Sequence, residues 1–234
     1  MRPYIICHMA SCIDGKIDGE ALGAVMRHGK YEAIAKRLGG SGWICGRTTM
    51  QQHFAEPEPF FSTSNEPAGN QPVHVAREAS SYAISVDTLG KLRWSSDNLD
   101  RDHLICIISE QVPSDYLKML REKGISYIVS GASSIDLTGA MDSLRKYFGI
   151  HTLLLEGGGH INGAFVEAGL VDEVSLLLVP GIDGRHDIPT VFDGLSKSVT
   201  VALKLKSVEQ LESDALWIRY EVIPAQEGED SCKA

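Results

Sequence analysis

Leu153-Leu154-Leu155-Glu156-Gly157-Gly158-Gly159-His160-Ile161-Asn162-Gly163-Ala164 carries a strand straight into a helix through a run of glycines. His151 to Leu155 is nearly all apolar and of strand length, while Ile161, Ala164, Phe165 and Ala168 recur at helical spacing. Glycines at such a junction let the backbone approach a bound group closely. The helix start adds free N–H groups and the positive end of a dipole. Together they make a pyrophosphate seat at the C-terminal edge of a parallel strand, where open sheets bind ligands. Asn162 stands where G-x-G-x-x-G would have its last glycine, which excludes the standard Rossmann fingerprint. A tight turn without a ligand is the competing reading of the same residues.

The alternation extends in both directions from this junction. Upstream, Ile5 to Met9 reads as a buried strand followed by a polar loop through Gly19. Tyr31, Ile34, Ala35 and Leu38 mark a helix stopped by Gly39-Gly40, and Trp43-Ile44-Cys45 is a short buried strand. The Pro-, Ser- and Asn-rich stretch from Ala55 to Pro72 reads as a surface loop. Val73 to Val75, Ala83 to Val86, Leu104 to Ile108 and Ile125 to Val129 are strand-like. Pro113 opens a helix that ends near Lys123-Gly124, and Met141, Leu144 and Phe148 mark another. Downstream, Val201, Leu203 and Leu205 alternate with polar residues, as do Leu216, Ile218, Tyr220 and Val222, which predicts an antiparallel hairpin joined by Glu209 to Asp214. The pattern predicts an α/β fold: a mainly parallel twisted sheet, helices on both faces and a C-terminal hairpin, in one domain over 1–224 with a flexible tail over 225–234.

A second turn of the same kind is Gly46-Arg47-Thr48-Thr49-Met50, where a permanent guanidinium fork and two hydroxyls follow a buried strand. An exposed Arg at a helix start is the ordinary alternative. Two phosphate-type turns favour a dinucleotide over a mononucleotide. A third segment, Ser11-Cys12-Ile13-Asp14-Gly15-Lys16-Ile17, ends the first strand and is a candidate wall of a nicotinamide site, or simply a loop. The net charge of -9, with no basic stripe, excludes a nucleic-acid binder. No run approaches the about 18 apolar residues of a membrane span. The five cysteines form no C-x-x-C pair and the eight histidines no i, i+4 pair, so no metal site is expected and a reducing cytoplasm fits.

Taken in order, these pieces resemble the reductase domain of the bacterial bifunctional riboflavin-biosynthesis deaminase-reductase, and more distantly dihydrofolate reductase. The resemblance covers about Arg2 to Val222. It rests on the S-x-x-D-G-K turn ending at Lys16, on Gly46-Arg47-Thr48-Thr49, on Val86-Asp87-Thr88, on Leu155-Glu156-Gly157-Gly158-Gly159, and on Gly169-Leu170-Val171-Asp172-Glu173 leading to Val179-Pro180. It implies a dihydrofolate-reductase-like fold, NADPH as cofactor, a small-molecule substrate, a homodimer, and an activity like that of 5-amino-6-(5-phosphoribosylamino)uracil reductase. It implies cofactor contacts at Ala10, Gly46, Arg47, Thr48, Thr49 and Thr88, and a pyrophosphate loop over Gly157, Gly158, Gly159, His160, Ile161 and Asn162. Glu156 matches a carboxylate that touches substrate; a carboxylate that merely caps the glycine turn is the alternative.

Hydride transfer to a C=N or C=O carbon also needs a proton. Placement makes Asp14 or Glu156 its candidate source, with Lys16 to stabilise the carboxylate or the substrate. Two departures qualify the substrate. The family's D-D-P-x-L-x-x-R stretch is replaced by Gln52-His53-Phe54-Ala55-Glu56-Pro57-Glu58-Pro59-Phe60, without Arg, and the chain starts at its first strand with no deaminase domain ahead of it. With only Lys36 and Arg37 as a nearby basic pair, a neutral or cationic carbonyl or imine substrate is expected over a phosphorylated pyrimidine. A noncatalytic dinucleotide-binding protein and a sugar-phosphate transferase remain as rival classes.

Overall fold

The structure, a computed structural model, describes residues 1–20, 22, 23, 29–195 and 201–224; the 225–234 tail lies outside them. Its centre is β1 (Tyr4–Ser11), buried from Ile5 onward. β1 pairs in parallel with β7 (Thr152–Leu155) on one side and β8 (Glu173–Leu178) on the other. Beyond β7 the parallel sheet continues through β2 (Gly42–Gly46), β3 (Tyr82–Val86), β5 (Asp102–Ile108) and β6 (Ser126–Val129). The two-residue β4 (Asn98–Leu99) runs antiparallel to β5. Beyond β8 the antiparallel hairpin β9 (Leu203–Gln210) and β10 (Leu216–Val222) closes the sheet, with β10 against β8.

Among the described residues five helices connect the strands: α1 (Lys30–Leu38), α2 (Arg47–His53), α3 (Ser114–Glu122), α4 (Leu137–Phe148) and α5 (Gly159–Glu167). Each expected helix is present, and α4 starts where the Asp136 carboxylate accepts the Gly139 N–H. Two expectations change. Val73 to Val75 forms no strand, only the single bridge His74–Tyr127. Pro72 has no N–H to give, and the Ala76 N–H is taken by Ser126 Oγ, so a ladder cannot extend either way. Conversely, β8 (Glu173–Leu178) is a strand where the sequence reading assigns no element.

Strand alternation sorts the core into two faces. Ile5, Cys7 and Met9 of β1, Leu153 and Leu155 of β7, and Ile44 of β2 point to one face, where Met141, Leu144 and Phe148 of α4 and Phe165 of α5 cover them in one continuous cluster. The other face is covered in two separate pieces. Cys45, Ala83, Leu104 and Cys106 lie under α2 and α3 with Met50, Tyr116 and Leu120. Ala10, Leu177 and Trp217 lie under α1 with Ile34. Between the two pieces, at β7, none of these five helices lies on that face of the sheet.

The hairpin is fastened by a charge. Glu173 is fully buried and its carboxylate receives Lys206 Nζ at 2.6 Å, Arg219 at 2.5 Å and the Tyr4 hydroxyl at 3.2 Å. Burial and this carboxylate push the Tyr4 phenol up to about 12. Glu173→Ala should strand two cations from neighbouring strands. Because those cations reach solvent, the loss in urea unfolding should fall below the roughly 3–5 kcal/mol of a fully buried pair. Amide exchange should speed up in β9 and β10 before the rest of the sheet.

Candidate active site

The uncovered strip of sheet is the floor of a cavity of about 1420 Å³. It runs from the C-terminal edge of β7 and β2, between α1 and α2, back to Trp43, Ser81 and Asp102. The glycine turn stands at its head, and the glycines there divide into two kinds. Gly157 has φ +88, and a Cβ on it would lie 2.8 Å from Met9 Cε. A Cβ on Gly159 would lie 2.4 Å from Thr190 O, and one on Gly163 2.0 Å from Asp193 O. Those three are glycine so that the protein can pack on itself. Gly158 differs: a Cβ there meets only Thr49 Oγ1, at 3.5 Å, and the residue lines the cavity.

Hydrogen bonds hold the two phosphate-type turns together. Gly158 N–H donates to Thr49 Oγ1 at 3.0 Å, and Gly46 N–H donates to Gly157 O at 3.0 Å. Gly158, Gly159, His160 and Ile161 line the cavity where the first turn of α5 leaves its N–H groups without helical acceptors. Ala10, Gly46, Arg47, Thr48, Thr49 and Thr88 line it as well. Gly157 and Asn162 do not. Asn162 is fully buried and its Nδ2 donates to Val191 O at 2.8 Å, so it ties α5 to the 190–193 segment. A smaller cavity of about 150 Å³ opens beside Arg47, Val86, Thr88 and Lys91. Its turn is shaped by buried Asp87, whose Oδ2 accepts Lys91 N–H at 2.6 Å and Leu92 N–H at 2.7 Å. Two cations and a helix start line two cavities that share Arg47, Val86 and Thr88, which fits a phosphate-rich dinucleotide.

Among the three candidate reacting residues the structure brings only Glu156 to the cavity. Its N–H is fixed to Ile44 O at 2.9 Å, and its carboxyl has no hydrogen-bond partner among the described residues. Burial pushes it up to about 8, reinforced by the carboxylates of Glu32 and Asp102. Asp14 is not brought there. It sits on an exposed turn and accepts Gly184 N–H at 2.7 Å, a bond that holds it below the usual carboxylate range. Lys16 Nζ donates to Ile188 O at 2.9 Å and is likewise absent from the lining. Asp14 and Lys16 instead fasten the first loop to the 181–190 segment.

Tyr31, Trp43 and Asp102 line the cavity and were not among the sequence candidates. Trp43 Nε1 donates to Asp102 at 2.7 Å across β3, a contact between residues 59 apart that no local spacing signals. Phe54 packs on Trp43 with ring centres 5.2 Å apart. Among the described residues no group of three side chains could hold a metal, and no helix is long and apolar enough to cross a membrane.

Three comparisons bear on this site. The model of the RibD C-terminal domain family matches residues 3–217. A 2,5-diamino-6-ribosylamino-4(3H)-pyrimidinone 5′-phosphate reductase of Aquifex aeolicus is 34% identical over 200 residues, covering 82% of this chain and 84% of that protein. The reductase of the same name from Methanothermobacter thermautotrophicus is 28% identical over 204 residues, covering 83% and 85%. A pyrimidine reductase-like protein of Corynebacterium diphtheriae superposes with a TM-score of 0.72 at 18% identity, covering 95% of this chain and 92% of that one, a likeness of fold.

The open position at Gly158 can be tested directly. Gly158→Ala should keep the fold, because its methyl meets no atom closer than 3.5 Å. Titration of the dinucleotide by fluorescence should show binding at least tenfold weaker, about 1.4 kcal/mol. Unchanged affinity would move the pyrophosphate seat elsewhere.

Proposed function

The chain belongs to the RibD C-terminal domain family, and on that premise we propose that it is an NADPH-dependent reductase of a ribosylamino-pyrimidine 5′-phosphate in riboflavin biosynthesis. The observation that carries this reading is the unpartnered Glu156 carboxyl on the cavity floor, next to Gly158 and the start of α5. Reductases of this kind use a nicotinamide cofactor, which when bound supplies a hydride to the carbon of a C=N or C=O group. The protein supplies the rest. The first-turn N–H groups of α5 and the Gly158 position hold the diphosphate. Arg47, Thr88 and Lys91 line the side cavity that suits a 2′-phosphate, which favours NADPH over NADH.

Glu156 delivers the proton. A carboxyl pushed up to about 8 is mostly in its acid form at neutral pH, so it can donate to the nitrogen or oxygen as the hydride arrives. Asp14, ionised and remote, is set aside as donor. The substrates for which the relatives are named carry a phosphate, and this outweighs the expectation of a neutral or cationic substrate drawn from the missing Arg. Of the basic pair on α1, Arg37 is bound to Glu209 by two contacts at 2.7 and 3.1 Å, while Lys36 lines the cavity and is the cation offered to a substrate phosphate.

We also read the chain as a cytoplasmic homodimer. β9 is the last strand of the sheet, and Leu203, Leu205 and Val208 on it are 44%, 55% and 53% exposed, an edge that a second copy would cover. A light-scattering mass of a single 25.5 kDa chain would exclude the dimer.

Two measurements test the enzyme. With the ribosylamino-pyrimidine phosphate and NADPH, kcat/KM should reach about 10⁴ M⁻¹s⁻¹ or more. The rate should fall above pH 8, as the acid form of Glu156 is lost, and Glu156→Gln should remove that limb and cost about 10²–10⁴ in kcat. Tight NADPH binding without turnover would instead favour the noncatalytic dinucleotide binder. Separately, Arg47→Ala should weaken NADPH by about 1–3 kcal/mol and leave NADH affected far less; equal losses for both would remove Arg47 from the 2′-phosphate.

A further inference from the structure

A buried polar chain crosses the sheet from the hairpin to the cavity wall. Trp217 Nε1 on β10 lies 2.8 Å from Ser175 Oγ on β8. Ser175 Oγ lies 3.1 Å from His8 Nδ1 on β1. His8 Nε2 lies 3.3 Å from the Tyr31 carbonyl oxygen, and the Tyr31 hydroxyl donates to His8 O at 2.8 Å. The two rings stack with centres 4.2 Å apart.

The indole end of the chain sets the direction of its first bond. An indole N–H can only donate, and a carbonyl can only accept. Trp217 therefore donates to Ser175 Oγ, and His8 Nδ1 faces both that hydroxyl at 3.1 Å and the Ser175 carbonyl oxygen at 3.3 Å. Burial lowers His8 to about 4 and keeps the imidazole neutral. Tyr31 is held at its hydroxyl and its ring, with its carbonyl oxygen beside His8 Nε2. α1 is gripped at its other end too, where the Arg37 guanidinium lies 4.4 Å over the Trp217 ring.

Tyr31 is also a wall of the cavity. His8 follows Cys7 as Glu156 follows Leu155 in the paired strands β1 and β7, so both side chains lie on the same face. We infer that Trp217, Ser175 and His8 are positioning residues that hold Tyr31 as the wall excluding water from the Glu156 carboxyl. The inference rests on the reading of Glu156 as the proton donor. The ionisable groups around that carboxyl are Tyr31 and Glu32 from α1, Cys45 from β2 and Asp102 from β5. The chain itself contributes no charge, so breaking it changes hydration and leaves the local charges as they were.

The test is a carboxyl titration of the full-length protein by ¹³C NMR, with the Glu156 signal assigned from Glu156→Gln. Wild type should titrate near 8. Ser175→Ala, which removes the middle of the chain, should lower that midpoint by about one unit. It should shift the alkaline limb of kcat by the same amount, roughly a tenfold loss of rate well above pH 8. KM for NADPH should not move, and Ser175→Thr, which restores the hydroxyl, should recover the wild-type midpoint. If Ser175→Ala does not fold, Trp217→Phe removes only the first donor and carries the same expectation. A midpoint unmoved in a folded variant overturns the inference. Because the titration needs no substrate, a shifted midpoint in a protein that reduces nothing would refute the proposed function while leaving the positioning role standing.

Discussion

Everything at the candidate site depends on one mismatch between the two faces of the sheet. The face under α4 and α5 is sealed by a continuous cluster, which fixes β1, β7 and β2 as a rigid platform. The opposite face is sealed only at its flanks, under α1 and under α2 and α3. A strand shows alternate side chains to opposite faces, so Leu155 belongs to the sealed face and Glu156, one residue on, belongs to the gap. A carboxyl in that gap is taken from water by the walls on either side and given no partner in exchange. Its raised affinity for a proton follows from that position, with Glu32 and Asp102 adding to it.

The fold was legible because its signals are local. The apolar runs at Ile5, Trp43, Leu104 and His151, the helix stop at Gly39, and the alternation of Leu216, Ile218, Tyr220 and Val222 each lie within one element, and the structure has those elements there. β8 carries no such signal, since it opens on the buried Glu173 and has Ser175 buried inside it. Val73 to Val75 looked like a strand because β-branched residues do, yet a ladder needs N–H groups that Pro72 lacks and that Ser126 diverts from Ala76.

The site was legible in part, for a related reason. The Gly-Arg-Thr-Thr and glycine turns are contiguous, and their residues meet at one cavity except for Gly157 and Asn162. What the sequence could not separate is a glycine kept for a ligand from one kept for packing, since Gly158 and Gly159 read alike. Only the distances to Thr190 and Asp193 tell them apart. Asp14 and Glu156 were likewise equivalent as carboxylates at strand ends. One is hydrogen-bonded in solvent and the other is not, a difference created by segments more than a hundred residues away.

The bonds that hold Asp14 and Lys16 away from the cavity lining have a mechanical meaning. Ile13 N–H reaches Gly181 O at 2.8 Å, Ile17 N–H reaches Pro189 O at 3.0 Å, and Val191 N–H reaches Gly15 O at 3.2 Å, alongside the contacts of Asp14 and Lys16. Residues 17, 18 and 187–189 form one bank of the cavity. Stitched at so many points, the two segments can part only together, as a seam opens along its whole length or not at all. Among the described residues no such bond joins α1 to α2, which makes the basin a harbour with one sea wall and one mouth.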